Sequence, residues 1–355
     1  LRIYTGVPIP FIDKIVNDVQ IYTIKYNTTF EGKNVIASGL VLMPKKAKKF
    51  PLLSFQNGTN TEHRRAPSVY YESIMFQLFN IIASTGFIVS VPDYLGFGAS
   101  ENMYHPYLDK ESTVNSVVDM LKAVKELTNE KKIATKSTKD VYIAGYSQGG
   151  WATMCVQKAL EQDNTKTFHL VASSCGAGPY NLETVIEYVL KRKRYNNPYF
   201  LAYVFNTMLK QGLIDQEMLD KIIRSPYNKK IQDNLFNGIN SGGEINSQLS
   251  REVAEMFTDD FIKNYKTSPD FKVVRNFLQK NSVGFWKTDV PTKLFHGNTD
   301  VDIPFATSQK AYDEMVKFGT NKSTLELVEI PNKTHGQAIL PAEIKTINWF
   351  LKLKE

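Results

Sequence analysis

The chain has 355 residues, of which 42% are hydrophobic and 22% charged, a composition typical of a globular protein that buries a sizeable core. Its formal net charge of +7 comes from basic residues scattered along the chain, and no basic run is long enough to indicate nucleic-acid binding. No apolar stretch reaches the roughly 18 residues that span a membrane, and the two cysteines exclude a disulfide-rich scaffold.

The first part of the chain predicts an antiparallel entry to a sheet. Residues 19–26 and 35–42 are alternating or β-branched runs, separated by a turn at Glu31-Gly32. A short apolar run follows at residues 52–55. Strand and helix patterns alternate after this run.

The alternating part predicts a largely parallel sheet with right-handed crossovers. Its predicted helices are at residues 69–83, 112–127 (starting at Ser112 or Thr113) and 148–161, and its strands are at 87–91, 141–144 and 169–173.

A long segment without good strands interrupts this alternation. Residues 182–291 have mainly helical patterns and are too many for a simple connection, so we predict a mostly helical insertion. The alternation then resumes, with strands at 292–296 and 324–330 and helices at 306–318 and 341–353.

These patterns predict an α/β fold with a mostly parallel central sheet, helices on both faces and an inserted helical lid. We divide the chain into the first part of the core (residues 1–182), the lid (183–290) and the second part of the core (291–355). In such sheets reactive groups gather at the carboxyl ends of the strands.

The strongest chemical signal is Gly145-Tyr146-Ser147-Gln148-Gly149, placed between a predicted strand and a predicted helix. A sharp strand-to-helix turn there presents the Ser147 hydroxyl at a helix amino terminus, where backbone N–H groups favour negative charge. We therefore predict Ser147 as a nucleophile and the N–H of Gln148 as an oxyanion donor.

A serine nucleophile needs a histidine base and a carboxylate that orients the base. In this fold they follow the serine in the order acid, then histidine. Asp300, just beyond the strand at 292–296, is our choice for the acid, with Asp302 as its rival. His335, which we place in a loop after the last strand, is our choice for the base.

The loop after the third strand, Gln56-Asn57-Gly58-Thr59, is the expected source of a second oxyanion donor. We assign that role to Asn57 and Gly58, although Thr59 stays open.

Four stretches also carry a family likeness: Ser54-Phe55-Gln56-Asn57-Gly58-Thr59, residues 91–100 (VPDYLGFGAS) with His105-Pro106-Tyr107-Leu108, residues 145–150 (GYSQGG), and His296-Gly297-Asn298-Thr299-Asp300. They resemble the α/β-hydrolases, and more narrowly the secretory lipase and esterase group that includes bacterial cell-wall-degrading lipase/esterases. The resemblance implies hydrolysis of carboxylic esters, with a lid between the sixth and seventh strands that sets substrate choice.

Residues beside the nucleophile are expected to shape the substrate site. We place Gln56, Tyr94 and Tyr146 next to the substrate, while Asp93 and His105 match the family pattern without an assigned role. The insertion offers aromatic candidates for the pocket wall: Tyr195, Tyr199, Phe200, Tyr203, Phe205 and Phe285.

We therefore predict a serine esterase or lipase that forms an acyl-enzyme on Ser147, with no metal or organic cofactor. Its expected partner is a small-molecule, lipid or carbohydrate ester. The alternatives are a serine peptidase of aminopeptidase or dipeptidyl type, for which Glu183, Glu187, Glu244 and Glu255 are candidate anchors of a substrate amino terminus, and a non-catalytic binding module.

The sequence carries hints of localisation and redox state. We expect export from a bacterial cell: no signal peptide is visible, but the sequence does not start with methionine. Glycosylation sequons at Asn57 and Asn332 would crowd the proposed site, which favours a bacterium. Cys155 and Cys175 are expected to be buried, unpaired thiols.

Overall fold

The computed structural model describes residues 10–71, 74–233 and 235–355, with the backbone alone for residues 74–76. In this part of the chain the strands are β1 (Val19–Phe30), β2 (Lys33–Pro44), β3 (Lys49–Gln56), β4 (Ile88–Pro92), β5 (Lys136–Tyr146), β6 (His169–Gly176), β7 (Thr292–Gly297) and β8 (Leu325–Ile330). They form one sheet in the order β1-β2-β4-β3-β5-β6-β7-β8.

The sheet is antiparallel at one side and parallel elsewhere. β1 pairs with β2, and β2 with β4, in antiparallel register, whereas all later neighbours are parallel. The β1–β2 turn places Glu31 and Gly32 at φ of 49° and 73°, the positive values that suit the twist of a tight hairpin. The predicted fold class is confirmed, and the carboxyl ends of β3, β5, β7 and β8 meet at one edge.

Helices fill the connections between these strands. They are α1 (Ile74–Ser84), α2 (Lys110–Asn129), α3 (Gln148–Gln162), α4 (Leu182–Leu190), α5 (Tyr199–Lys210), α6 (Gln216–Ile222), α7 (Tyr227–Gln232), α8 (Gly242–Ser247), α9 (Val253–Met256), α10 (Asp259–Asn264), α11 (Lys272–Asn281), α12 (Ala306–Lys317) and α13 (His335–Lys354). None of these helices is long and apolar enough to cross a membrane.

Both faces of the sheet are covered, as a parallel sheet requires. Along β5, Val141 and Ile143 belong to the core beneath α2 and α3. Tyr142 and Ala144 alternate with them and belong to the core beneath α1 and α13. Cys155, in α3, and Cys175, in β6, are buried and unpaired, as predicted.

Helix α2 begins earlier than predicted. Its N-cap is Asp109, whose carboxylate accepts a hydrogen bond from the Ser112 N–H at 2.9 Å. The hydroxyls of Ser112 and Thr113 instead donate to the carbonyl of Asp109 from within the first turn. The predicted helix start at Ser112 or Thr113 is therefore wrong, because Asp109 supplies the acceptor that the first-turn N–H groups need.

Helix α13 also begins earlier, at His335 rather than at Pro341. Thr334 and Gln337 form a capping box that starts the helix, and Pro341 lies inside it. A proline there removes one backbone hydrogen bond, which this long packed helix tolerates. His335 is thus the first residue of a helix rather than part of a loop. Helix α1 is described from Ile74 onwards, and Val69 lies in a turn before it; residues 72–73 lie outside the described residues.

Residues 177–291, named here the inserted segment, contain α4 to α11 and two isolated β-bridges. This segment is fixed to the rest of the protein near α3 and the start of α2. The indole N–H of Trp151 in α3 donates to the carbonyl of Asn281 at 2.9 Å, and the Asn281 side chain accepts from the Lys110 N–H at 2.9 Å. A mostly helical insertion is what the sequence predicts; its division as a separate lid stays a prediction.

An apolar cavity lies between α1 and α13. Its wall includes Phe55, Phe79, Ile347 and one carboxyl group, that of Glu343. In the described part of the chain this carboxyl has no hydrogen-bond partner, and burial raises its pKa to about 7. The ionised form is therefore less stable in the folded protein than in the unfolded chain.

We expect Glu343→Gln to stabilise the protein at high pH only. The unfolded chain ionises this group above its usual pKa of 4.5, whereas the folded protein keeps it neutral up to about pH 7. The free energy of unfolding thus falls between these two pH values and stays lower above them. Thermal unfolding at pH 8 should show the variant melting a few degrees higher, with no difference at pH 4. The exposed Glu126→Gln serves as the control; a gain for Glu343→Gln at both pH values would contradict the explanation.

Candidate active site

Ser147 lies in the turn between β5 and α3, with φ 62° and ψ −125°. A non-glycine residue in this conformation costs on the order of 1–3 kcal/mol and is held only by its surroundings. The flanking glycines show how tight these surroundings are. A Cβ on Gly145 or Gly149 would lie 2.6 Å or 1.9 Å from the carbonyl oxygen of Gln56. The glycine spacing therefore lets the end of β3 pack directly against the serine turn.

Ser147, His335 and Asp300 form one hydrogen-bonded line. The Ser147 Oγ is 2.9 Å from His335 Nε2, and His335 Nδ1 is 2.6 Å from Asp300 Oδ2. Because Nδ1 faces a carboxylate, which only accepts, Nδ1 carries the proton. Nε2 then has a free lone pair that accepts from the Ser147 hydroxyl. The structure thus brings together three residues that lie far apart in sequence.

Asp300 is held as an ionised carboxylate. Its Oδ1 accepts from the backbone N–H groups of Asp302 and Ile303, both at 2.9 Å. Burial alone raises the pKa of Asp300, but hydrogen bonds from His296 and His335 outweigh it and lower the pKa to about 2. At neutral pH the carboxylate is therefore negative and able to stabilise a protonated His335.

His296 is a further partner of Asp300 that the sequence did not reveal. Its fully buried ring places Nε2 3.1 Å from Asp300 Oδ2 and 2.9 Å from the Ile303 carbonyl oxygen. Both neighbours are acceptors, so Nε2 carries the proton, and Nδ1 accepts from the Ser308 hydroxyl at 2.7 Å. The position of His296 at the end of β7 does not indicate this contact, because nothing in the local sequence pattern encodes it.

The rival acid, Asp302, lies beside the line without a hydrogen bond to His335. Burial raises the pKa of its carboxyl, although the nearby His335 and Asn197 side chains oppose the shift. The Asp302 carbonyl accepts from the Tyr195 hydroxyl at 3.1 Å. Asp302 therefore connects the loop after β7 to the inserted segment.

The predicted oxyanion donors lie around Ser147. Gln148 is the first residue of α3, where backbone N–H groups have no partner within the helix. On the other side, a Cβ on Gly58 would lie only 3.9 Å from Ser147 Cβ. Asn57 is fixed by its amide, which donates to the Pro92 carbonyl at 2.8 Å. The choice among Asn57, Gly58 and Thr59 stays open.

The three residues predicted to bind substrate each use their polar group in a hydrogen bond within the protein, and their role in substrate binding stays a prediction. Gln56 is fully buried, and its amide bonds to Ser54 and Thr153. The Tyr94 hydroxyl donates to the Asn57 carbonyl at 3.2 Å, and the Tyr146 hydroxyl donates to the His335 carbonyl at 2.9 Å.

A narrow apolar cavity opens beside Ser147 and Gln148. Its free space, about 30 Å³ for the centres of water-sized molecules, holds roughly two waters. Of the predicted aromatic wall residues, Tyr195 and Phe200 line this cavity, whereas Tyr199, Tyr203, Phe205 and Phe285 do not. Further wall residues from the inserted segment are Leu182, Val185, Leu201 and Val204.

Comparison with known proteins identifies the family. The family model described as secretory lipase matches residues 68–352. The chain belongs to the secretory lipase family. It is a carboxylic ester hydrolase with the α/β-hydrolase fold. A comparison with the curated proteins found no match.

Solved structures show the same architecture. A putative hydrolase from Legionella pneumophila is 27% identical, with a TM-score of 0.85 over 96% of this chain and 90% of that chain. The rice cell wall degrading esterase LipA from Xanthomonas oryzae is 24% identical, with a TM-score of 0.80 over 95% and 90%. Candida antarctica lipase A in its closed state is 15% identical, with a TM-score of 0.70 over 97% and 80%. The two more distant likenesses show the fold alone, and none of the three favours the peptidase alternative.

Proposed function

We propose that this family member cleaves its ester through an acyl-enzyme on Ser147, with His335 as general base and Asp300 as the orienting carboxylate. The hydrogen-bonded line from Ser147 Oγ through His335 to Asp300 is the observation that supports the proposal. It provides a base within proton-transfer distance of the nucleophile and fixes the tautomer that can accept the proton.

The reaction follows from that line. Ser147 Oγ attacks the ester carbonyl carbon while its proton moves to His335 Nε2, and Asp300 stabilises the imidazolium. The tetrahedral intermediate collapses, and His335 gives the proton to the departing alcohol. Water then attacks the acyl-enzyme with His335 again as base, which releases the carboxylic acid and restores Ser147.

The N–H groups of Gln148 and of Asn57 or Gly58 stabilise the oxyanion of each tetrahedral intermediate. One well-aimed donor contributes about 2.7–4 kcal/mol to transition-state stabilisation. Such donors need no metal, and the described residues include no group of three or more His, Cys, Asp or Glu side chains that could hold one. The absence of a cofactor stays a prediction.

The inserted segment acts as the lid that selects the acyl group. Leu182, Val185, Leu201 and Val204 supply apolar wall beside Ser147. A space for roughly two waters accommodates an acyl group of about two to four carbons. Longer acyl groups require movement of this segment, so we expect turnover to decrease with chain length.

A panel of p-nitrophenyl esters tests this assignment. We expect kcat/KM to be highest for acetyl to butyryl esters and far lower for octanoyl and feruloyl esters and for aminoacyl p-nitroanilides. Leu201→Ala, which enlarges the cavity, should shift the optimum to longer acyl groups, whereas Leu209→Ala on the same helix should not. Preference for the anilides would support the peptidase instead, and an unchanged optimum in Leu201→Ala would contradict the assigned acyl pocket.

The protein acts outside the cell that makes it. Membership of the secretory lipase family supports export, and a bacterial source remains our proposal. The substrate is a small-molecule, lipid or carbohydrate ester.

A further inference from the structure

His105 lies next to the active site but outside the proton-transfer line. It belongs to the loop before α2 and is almost completely buried. Its Nδ1 is 2.7 Å from the Leu95 carbonyl oxygen, and its Nε2 is 3.2 Å from the side-chain nitrogen of Gln148. Gln148 directly follows the nucleophile, so His105 contacts the residue that carries an oxyanion donor.

The hydrogen bonds of His105 fix its tautomer. A carbonyl oxygen only accepts, so Nδ1 carries a proton and donates it to Leu95. Burial lowers the pKa of His105 to about 4, and the ring is neutral at neutral pH. Nε2 therefore accepts, and the Gln148 amide must present its NH₂ group to the ring. The histidine thus determines the orientation of the Gln148 side chain.

That orientation matters for the backbone of Gln148. The residue is the first of α3 and follows Ser147, whose φ of 62° is strained. A strained turn persists only where neighbouring contacts hold it. The buried Gln148 side chain, anchored on His105, is one such contact at the residue whose N–H faces the oxyanion.

The same loop also supports the opposite side of the oxyanion hole. The hydroxyls of Tyr107 and Thr59 are 2.9 Å apart. Thr59 follows Asn57 and Gly58, the candidates for the second donor. Residues 105–107 therefore contact both sides of the oxyanion hole.

Helix α5 of the inserted segment packs against this loop. The Tyr203 ring of α5 stacks on Tyr107, with centroids 4.5 Å apart and planes 9° apart. It also meets the His105 ring edge-on at 5.6 Å. The Tyr107 N–H donates to the Thr207 hydroxyl oxygen at 2.9 Å. The loop thus forms a continuous connection between α5 and the oxyanion hole.

We propose that His105 is a positioning residue for ester hydrolysis: its ring accepts a hydrogen bond from Gln148 and keeps the Gln148 N–H aligned with the oxyanion. Tyr107 does the same for the loop that carries Asn57 and Gly58. This role rests on the proposed acyl-enzyme mechanism, because it acts on the oxyanion that forms on Ser147.

Two substitutions separate the two hydrogen bonds of His105. His105→Asn places an amide NH₂ near the position of Nδ1, which retains the donor to Leu95 but is too short to reach Gln148. His105→Gln places an amide oxygen near the position of Nε2, which retains the acceptor for Gln148 but loses the bond to Leu95. Each variant removes one hydrogen bond of the buried ring, so we expect similar losses in melting temperature.

Activity should separate the two variants. Since displacement of a reacting group by about 1 Å can cost roughly 10²-fold, we expect His105→Asn to lower kcat by at least about tenfold, with KM little changed. His105→Gln should retain kcat to within about threefold. Adding Gln148→Met to His105→Asn should cause no further loss, because both changes remove the same hydrogen bond.

The positioning role would be overturned if kcat fell equally in His105→Asn and His105→Gln, in step with the melting temperature. It would also be overturned if adding Gln148→Met to His105→Asn lowered kcat further. The proposed function is judged in the same assay by comparing wild type with Ser147→Ala. Absence of Ser147-dependent turnover in the wild type contradicts the mechanism itself. If Ser147→Ala abolishes turnover but His105→Asn turns over as fast as the wild type, the positioning role alone is contradicted.

Discussion

Ser147→Ala is expected to lower kcat for p-nitrophenyl acetate by roughly 10⁶-fold, the loss typical when the nucleophile of such a triad is removed. The alanine has no oxygen to attack the ester, so an acyl-enzyme cannot form. The fold should be unaffected, because alanine has the same Cβ as serine and meets the same backbone restriction at φ 62°. Thermal unfolding should therefore differ by no more than about 1–2 °C, as expected when one partly buried hydrogen bond is lost.

A fluorophosphonate probe gives a second readout that does not depend on the choice of ester. The wild type should gain the mass of one probe on Ser147, and Ser147→Ala should gain none. Ser323→Ala, in the exposed turn before β8 at the opposite end of the strands, is the control and should match the wild type in both assays. Retention of more than about one per cent of kcat in Ser147→Ala would show that another group is the nucleophile.

The three residues of the proposed catalytic line can be predicted from the sequence because their signals are local. At Gly145 and Gly149, backbone atoms lie within 2.6 Å of where a side-chain Cβ would be, so only glycine fits at these two positions. Asp300 and His335 each follow a recognisable strand, and parallel strands bring their carboxyl ends together. The two strands are hydrogen-bonded neighbours, which explains how residues distant in sequence meet.

Contacts that depend on side-chain direction could not be predicted in this way. Tyr146 precedes Ser147, but its hydroxyl donates to the His335 carbonyl, and the residue does not line the cavity beside Ser147. The His105–Gln148 contact joins the loop before α2 to the start of α3, and no sequence period or spacing encodes it. Such contacts depend on the packing of whole elements, which local patterns do not specify.

The boundaries of α13 illustrate a competing local rule. Proline usually marks the first turn of a helix, so Pro341 predicted a start there. The capping box of Thr334 and Gln337 starts the helix at His335 instead. As a result, His335, the proposed base, lies at a helix amino terminus with its backbone fixed, and the helix and Asp300 together set the direction of its Nε2.

Asp300→Asn is expected to lower kcat by about 10⁴-fold through the tautomer of His335. The Oδ1 position accepts two backbone N–H groups, so the amide oxygen of the new side chain must lie there. The amide NH₂ then faces His335 Nδ1, which must become the acceptor. The proton moves to Nε2, and Nε2 can no longer take the proton of Ser147.

The second donor to Asp300, His296, makes Asp300→Asn destabilising as well. His296 Nε2 carries a proton because it also donates to the Ile303 carbonyl, so the new NH₂ group meets another donor at this position. We therefore expect Asp300→Asn to lower the melting temperature as well. Asp300→Ala should also lower kcat, but it has no NH₂ group that would force the proton of His335 onto Nε2.

Asp302→Asn is the matched control, because Asp302 lies two residues away and has no hydrogen bond to His335. Its kcat should fall by less than about tenfold, since removal of a nearby charge that is not hydrogen-bonded to the base has a modest effect. Steady-state kinetics of the two variants on one ester decide the assignment. If Asp302→Asn has the larger loss, Asp302 rather than Asp300 orients the base during turnover, and the hydrogen bond between Asp300 and His335 is a resting contact that rearranges when substrate binds.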